Sequence, residues 1–313
     1  MADIVSEAST VPLTNSKKPR GRTNRLMIAM LALPTFYSLV FFIGPLIFLI
    51  ALSLWKVENF RVVPAFTLEN YISVGQQMFG NSNYSIAILQ SLYVAATTAA
   101  LCVALCGAFV LALVYTLPSR LHRLALLLAV APFWTSYILR VFAWQILLAK
   151  RGIINTALSA MGIDWQLAVL NTQTATRIGL LHYSAPVIIV ILFVTVKSID
   201  RDLIEAARNL GATRWTTFRT VILPLSRVGI VLSFCFASII AFGDVLSGSI
   251  LGGGAGRSLV GSVPLFANVI MSDYSGSTNL PRVCVLAIIM VLILVFILMA
   301  GIKGSEAAQR SIS

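Results

Sequence analysis

Two ionisable residues stand inside stretches of sequence that are otherwise apolar. Arg140 lies within "PFWTSYILRVFAWQILL" and Asp244 within "FGDVLSGSILGGG". An isolated charge in an apolar stretch of membrane-spanning length costs roughly 3 kcal/mol or more, so such residues face a partner, a protein interior or a wet cavity. Either the two residues form a structural ion pair, or Asp244 lies along the path of a cationic substrate, and the sequence leaves both interpretations open.

Aromatic and imidazole side chains accompany these two charges. Aromatic faces attract cations, which makes them candidate contacts for a cationic solute, although ordinary packing explains them equally well. A histidine in the apolar run "GLLHYSAPVIIV" either lines a cavity or makes a hydrogen bond within the packing. The candidate residues of a substrate path or buried ion pair are Arg140, Asp244, Trp134, Tyr137, Trp144, His182 and Tyr183.

No arrangement of residues in the sequence indicates catalysis or metal binding. The segment "LGGGAGRS", Leu251–Ser258, has neither the spacing nor the lysine of a phosphate-binding loop. Cys102 and Cys106 share a helix face at i, i+4, but no His, Asp or Glu accompanies them, so we interpret them as small packing residues. We therefore expect no enzymatic activity, no bound metal and no cofactor in this chain.

The elements that position these residues follow from the composition. The chain has 313 residues, of which 58% are hydrophobic and only 11% charged, whereas a soluble domain carries about a quarter charged residues. Apolar stretches recur at the length of roughly 20 residues that a spanning helix needs. We predict an all-α polytopic membrane protein with six transmembrane helices, at residues 26–54, 85–116, 124–149, 177–196, 225–250 and 283–302.

The distribution of basic residues orients these helices. If the N-terminus is cytoplasmic, 15 of the 23 Lys and Arg residues fall in cytoplasmic segments, seven fall in outer loops and Arg140 lies within a span. This bias follows the positive-inside rule and predicts that both termini are cytoplasmic. The net charge of +12 therefore reflects membrane orientation rather than nucleic-acid binding.

The segments outside the spans differ in composition. The N-terminal tail is rich in Ser and Thr and is expected to be disordered, and the first span is expected to bend at Pro34 and at Gly44-Pro45. The first outer loop is long enough for short interfacial helices. The predicted segments are a cytoplasmic tail 1–25, the first transmembrane helix 26–54, an extracytoplasmic loop 55–84, a membrane core 85–302 and a cytoplasmic tail 303–313.

An amphipathic segment, termed here the amphipathic loop (residues 198–224), separates the fourth and fifth predicted spans. Asp202 and Glu205 have the spacing of a capping box. Gly211 is placed to end the first helix in a left-handed conformation, and Thr213 to cap a second short helix. Pro224 is tolerated in the first turn of the next span.

Apolar residues in the amphipathic loop recur at helical spacing. Such a face either lies on the membrane surface or docks into the groove of a partner protein, and composition alone favours neither. The two apolar stripes are Leu203, Ile204, Ala207 and Leu210 in the first helix, and Trp215, Phe218 and Ile222 in the second.

The loop also carries a family resemblance. Its sequence "EAARNLGATRWTTFRTVILPL" resembles the EAA signature of permease subunits of bacterial ABC importers. The resemblance implies a type I ABC importer permease-like fold in the bacterial cytoplasmic membrane, with the loop docked as a coupling helix in a cleft of a separate ATPase. The residues it assigns to ATPase coupling are Glu205, Ala206, Ala207 and Gly211.

The stretches around Arg140 and Asp244, with "GIINTAL", are similar to the spermidine/putrescine class of these permeases. The resemblance implies a translocation path for spermidine, putrescine or a related small solute. It also implies a second homologous permease subunit in a heterodimer (a homodimer being the alternative), two cytoplasmic ATPase subunits that bind the ATP, and an extracytoplasmic substrate-binding protein.

Two alternatives stay open. The chain could serve an importer of a different solute, such as an amino-acid-like compound, an opine, a phosphonate or an inorganic anion. It could also be a stand-alone secondary transporter, but that class commonly shows internal repeats, and the sequence displays no duplication.

Overall fold

Long helices dominate the chain. The computed structural model describes residues 22–80, 83–253, 264–276 and 279–310. Within these residues, four helices are long and apolar enough to cross a membrane, and two bent helix pairs bring the number to six if each pair is one span. The helical membrane fold is therefore confirmed. Residues 1–21 of the predicted tail 1–25 lie outside the described residues.

The N-terminal helices belong, as far as Ala51, to a unit of their own. Helix α1 (Arg22–Ser38) continues through a π-helical turn at Leu39–Ile43 into α2 (Gly44–Ser53). Pro34 lies inside α1 without ending it. The irregular turn instead directly precedes Gly44-Pro45, because Pro45 has no N–H to donate to the preceding turn.

The second unit, which begins at Leu52, opens with an antiparallel hairpin of β1 (Lys56–Glu58) and β2 (Arg61–Val63), followed by α3 (Glu69–Phe79). Asn70 joins α3 to the chain before the hairpin, because its side-chain N–H groups donate to the carbonyls of Ser53 and Trp55 at 2.9 and 2.8 Å. The predicted loop 55–84 thus contains one helix, as expected, and a hairpin that the sequence did not indicate.

Helices follow in the described part of the second unit. In chain order they are α4 (Asn83–Thr116), α5 (Ser119–Val130), α6 (Tyr137–Leu148), α7 (Ile153–Ala160), α8 (Gln173–Lys197), α9 (Arg201–Asn209), α10 (Arg214–Thr217), α11 (Leu223–Leu225), α12 (Arg227–Phe242), α13 (Leu246–Ile250), α14 (Phe266–Gly276) and α15 (Leu280–Arg310). Helix α12 packs against α4, α8 and α15 around buried apolar side chains.

Small residues set the close approach of these helices. A Cβ on Gly229 would overlap the side chain of Thr195, and one on Gly301 would overlap Cys235, so α12 lies tightly against both α8 and α15. Cys102 and Cys106 are buried, with their Sγ atoms 3.8 Å apart, as expected of packing residues. Helix α15 continues to Arg310, so most of the predicted tail 303–313 is helical.

The third predicted span, 124–149, is wrong as a single continuous helix. Helix α5 passes into a 3₁₀ turn, Ala131–Trp134, and the chain then bends by 94° before α6 and α7. Pro132 lacks an N–H for the helical ladder. Thr135 closes the turn, because both its backbone N–H and its hydroxyl donate to the carbonyl of Pro132, at 3.1 and 2.7 Å.

The fifth predicted span, 225–250, is also interrupted. The segment from α10 to α11 bends by 68° relative to α12, so Pro224 lies in α11, before the bend, rather than in the first turn of the span. Helix α12 then ends at Phe242. Asp244 consequently lies in a short break between α12 and α13, and not inside a helix.

Candidate functional site

The amphipathic loop begins with a capped helix, although not with the cap that was predicted. The side chain of Asp200 accepts a hydrogen bond from the N–H of Asp202 at 3.1 Å, so Asp200 is the N-cap of α9. The proposed capping box between Asp202 and Glu205 is therefore wrong. The backbone of Asp200 is extended, as an N-cap requires, whereas Asp202 already lies in the first helical turn.

Gly211 ends α9 in the predicted left-handed conformation, with φ +84°. The N–H of Gly211 donates to the carbonyl of Arg208 at 2.9 Å, and the N–H of Ala212 donates to that of Ala207 at 3.1 Å. These two bonds form a Schellman motif. A Cβ at Gly211 would meet no atom within 4 Å, so the backbone conformation, and not a lack of space, requires glycine here.

The second half of the loop leads directly into the core. Thr213 caps α10 as predicted, since its Oγ1 accepts from the N–H of Thr216 at 3.2 Å. Helix α10 continues through a π-helical turn at Phe218–Ile222 into α11 and then α12. The loop is therefore connected to the core helix α12 without an intervening flexible linker.

Several large apolar side chains of the loop are exposed in the part of the chain that the structure describes. Ile204 is buried, but Leu210 is 89% exposed, Trp215 is 68% exposed and Leu203 is 49% exposed. Glu205 and Ala206 are exposed as well, and Ala207 is partly buried. The two predicted apolar stripes thus pack only in part against the protein. They leave an apolar surface available to a partner.

Arg140 lies in a buried cluster on α6 and α8. Its guanidinium carbon is 5.8 Å from the ring centre of Tyr137 and 5.6 Å from that of Tyr183, and these two rings stack at 4.0 Å. The residue is only 9% exposed. Its Nε and Nη1 atoms are buried and have no hydrogen-bond partner among the described residues.

Asp244 belongs to the same cluster but does not contact Arg140 as an ion pair. Among the described residues, the salt bridges within 4.0 Å all involve Lys56. The carboxylate of Asp244 accepts from the hydroxyl of Tyr137 at 2.5 Å and from the N–H of Ser247 at 2.8 Å. The direct ion pair is therefore wrong, and Tyr137 contacts both charged residues instead.

The break after α12 explains this arrangement. Because the helix ends at Phe242, the carboxylate of Asp244 is free to cap the first turn of α13. The hydroxyl of Ser247 lies 2.7 Å from that of Tyr137 and completes the network. Ser247 was missed from the sequence, although the spacing of Asp244 and Ser247 in "DVLS" is that of a side-chain cap and could have indicated it.

The remaining candidates divide into two groups. The indole N–H of Trp144 donates to Nδ1 of His182 at 2.9 Å, and both side chains are partly buried. Trp134, by contrast, lies in the 3₁₀ turn and is 74% exposed. The structure thus gathers Arg140, Tyr183 and Asp244 around Tyr137. It pairs Trp144 with His182 and leaves Trp134 on the surface.

A second polar network joins α3, α4, α14 and α15, and sequence reasoning did not identify it. The hydroxyl of Tyr84 donates to the carboxylate of Asp273 at 2.6 Å. Arg282 donates to the side-chain oxygen of Gln77 at 2.5 Å and also to the hydroxyl of Tyr84. These bonds tie loop 55–84 to the start of α15. The contacts span about 190 to 205 residues of sequence, so no local pattern reveals them.

Comparison with known proteins gives the family. The family described as "Binding-protein-dependent transport system inner membrane component" matches residues 108–304, more than half of the chain. The spermidine/putrescine transport system permease protein PotB of Haemophilus influenzae is 29% identical over 88% of this chain and 93% of its own length. PotB of Salmonella typhimurium is 30% identical over 72% of this chain and 78% of its own length.

Solved structures support the same fold. A chain of a bacterial alginate ABC transporter, solved in complex with a periplasmic protein bound to an alginate pentasaccharide, superposes with a TM-score of 0.69, 16% identity and coverage of 89% of this chain and 93% of that one. A chain of the MetNI methionine ABC transporter gives a TM-score of 0.51, 18% identity and coverage of 72% and 95%. The chain therefore belongs to the binding-protein-dependent transport system inner membrane components, the permease subunits of ABC importers.

Proposed function

We propose that this chain is a permease subunit of an ATP-driven importer of polyamines such as spermidine and putrescine. The observation that carries the proposal is the amphipathic loop, where the EAA residues lie on an exposed helix that a Schellman motif at Gly211 holds in place. Family membership and the similarity to two PotB proteins support the same conclusion.

The exposed side chains Leu203, Leu210 and Trp215 give an ATPase an apolar surface to cover. Ile204 anchors the same helix in the chain. Because α12 packs tightly on α8 at Gly229, a displacement of the loop moves packed helices rather than a loose segment. ATP is bound by the ATPase in this proposal, and the permease itself needs no cofactor.

The distribution of charged residues orients the proposed assembly in the membrane. The amphipathic loop and both termini face the cytoplasm, where the positive-inside rule places the majority of Lys and Arg residues. A second permease subunit completes the path, two ATPase subunits contact the loops, and an extracytoplasmic binding protein delivers the solute. In this proposal the second permease is a homologous chain, so the pair is a heterodimer, as the family resemblance implies.

The buried cluster suits a cationic solute at one end. Asp244 is 7% exposed and supplies a carboxylate, while the stacked rings of Tyr137 and Tyr183 supply aromatic faces. Carboxylates and aromatic faces are the groups that recognise alkylammonium ions. The guanidinium of Arg140 repels cations, so in this proposal a polyamine contacts the cluster through Asp244.

A second candidate substrate class follows from Arg140. Its buried Nε and Nη1 atoms lack partners among the described residues, and a guanidinium fork binds carboxylates and phosphates well. A solute with an anionic group, such as an amino-acid-like compound, an opine, a phosphonate or an inorganic anion, would satisfy these donors. The polyamine proposal is preferred because the PotB relatives cover most of the chain.

Uptake by the assembled importer in proteoliposomes, supplied with its binding protein and internal ATP, distinguishes the two classes. We expect accumulation of labelled spermidine or putrescine that excess unlabelled polyamine suppresses and acidic amino acids do not. Accumulation of an anionic solute without polyamine uptake would replace the first substrate class with the second. Failure of both classes would reject both assignments, and liposomes without ATP are the control.

A further inference from the structure

A basic cavity lies between the amphipathic loop and the end of α4. Its volume is about 490 Å³, and the α4 residues Leu111, Tyr115 and Thr116 form one wall. Arg208 and Arg214 line it from opposite sides of the Gly211 turn. No acidic residue is among the described residues that line this cavity, so its charged groups are both cationic.

The two arginines are available to a ligand. Neither forms a hydrogen bond or salt bridge with another side chain in the part of the chain that the structure describes, and both are exposed. Guanidinium groups of this kind bind phosphate oxygens in bidentate fashion. The cavity therefore has the chemistry of a phosphate site.

An apolar groove continues from this cavity along α4. Its volume is about 370 Å³, and it shares Leu111, Phe218 and Ile222 with the basic cavity. The α4 wall of the groove is formed by Ala100, Ala104, Gly107 and Ala108, and α8 and α12 close the other side. From Ala100 to Leu111 the groove follows α4 for about 16 Å, at 1.5 Å per residue, which is about half of the ~30 Å hydrocarbon core.

We propose that the cavity and the groove together bind one anionic phospholipid of the cytoplasmic leaflet. The headgroup phosphate lies between Arg208 and Arg214, and an acyl chain lies along Ala104 and Gly107. A cationic pocket at the end of an apolar groove as deep as one leaflet matches the two parts of a phospholipid. An apolar partner helix would fill the groove but would leave the two guanidinium groups without an anion.

The position of the site gives the lipid a physical effect. The cavity lies between α4 and the amphipathic loop, and the shared residues Phe218 and Ile222 belong to the π-helical turn that joins the loop to α12. A bound lipid therefore favours one placement of the loop relative to α4, because it contacts both. The inference does not depend on the identity of the transported solute.

Lipid retention by the assembled importer tests this proposal. The importer, purified through a tag on this chain, is incubated with equal amounts of phosphatidylglycerol and phosphatidylcholine in phosphate-free buffer, and retained lipids are counted by native mass spectrometry. Each cation near an anionic lipid raises the binding constant by a factor of about five. We therefore expect the two arginines to favour phosphatidylglycerol over phosphatidylcholine by about thirty-fold. R208Q/R214Q should lose this one retained lipid.

Matched variants separate the possible outcomes. R120Q/R123Q removes the same charge from exposed positions on α5 outside the cavity and should retain the lipid. Ala104→Phe, or Ala100→Leu if the first variant does not fold, narrows the groove without changing charge and should release the lipid.

Three results would overturn the proposal. Retention of phosphatidylglycerol by the folded groove variants, together with its displacement by added inorganic phosphate, would identify a simple anion site. Equal loss in R120Q/R123Q would indicate a general effect of charge. An absence of the preference in the wild-type assembly would show that the site does not select an anionic lipid.

Discussion

Replacing Gly211 by alanine should weaken docking of the ATPase without disturbing the transmembrane helices. The residue adopts φ +84°, a conformation that costs an L-residue roughly 1–2 kcal/mol. No atom lies within 4 Å of the added Cβ, so this conformational cost is the whole expected effect. It corresponds to a factor of about 5–30 in an equilibrium constant.

The measurement is a titration of the purified ATPase against the permease in nanodiscs. If ATPase binding requires the Schellman motif to be formed, the apparent affinity should fall by up to this factor, because only the fraction of loops that is correctly folded can bind. Gly211→Asn should lose less than Gly211→Ala, since asparagine tolerates the left-handed conformation better than other non-glycine residues.

Gly75→Ala is the matched control. Gly75 lies in α3, has no atom within 4 Å of an added Cβ and does not have a positive φ, so its replacement should leave the affinity unchanged. Wild-type affinity in Gly211→Ala would refute the reasoning, since it would show that docking does not depend on the left-handed turn. Equal losses in the two variants would refute it as well.

Three further predictions concern the cluster and the topology. Tyr137→Phe and Asp244→Asn should be coupled by roughly 0.5–3 kcal/mol in a double-mutant cycle of unfolding free energies, because the hydroxyl and the carboxylate share a 2.5 Å hydrogen bond; strictly additive losses would contradict this. Arg140→Met should preserve polyamine uptake, whereas a complete loss of uptake in this variant at normal expression would favour a solute with an anionic group. A cysteine at Thr216 should react only after the inner face is exposed, and one at Ser275 should react from outside; the reversed pattern would invert the proposed orientation.

Local features of the loop were predictable from the sequence because they depend on neighbouring residues. Gly211 adopts the left-handed conformation that ends one helix, and Thr213 caps the start of the next. The N-cap was assigned to Asp202 instead of Asp200. A capping-box spacing alone does not show whether its first residue precedes the helix or already lies inside it. The error is two residues, and it leaves the helix and its exposed face unchanged.

Most residues of the membrane cluster were predictable from the sequence, but their arrangement was not. Hydropathy identifies Arg140 and Asp244 as unusual, but it does not register breaks in a uniformly apolar stretch. The 94° bend after α5 and the break after α12 were therefore missed. The contact of Asp244 with Tyr137 joins residues 107 positions apart, so the tyrosine that replaces the expected ion pair is revealed only by the fold.

ATP hydrolysis and spermidine uptake, measured in the same proteoliposomes for the wild type and for Glu205→Lys, test the central claim most directly. Glu205 is exposed on α9, so the variant should insert, fold and retain the helical core. The proposal predicts that the wild type couples hydrolysis to uptake and that Glu205→Lys loses most of the uptake per ATP hydrolysed. Wild-type coupling in a normally expressed Glu205→Lys importer would contradict the assignment of the amphipathic loop as the element that connects the ATPase to transport.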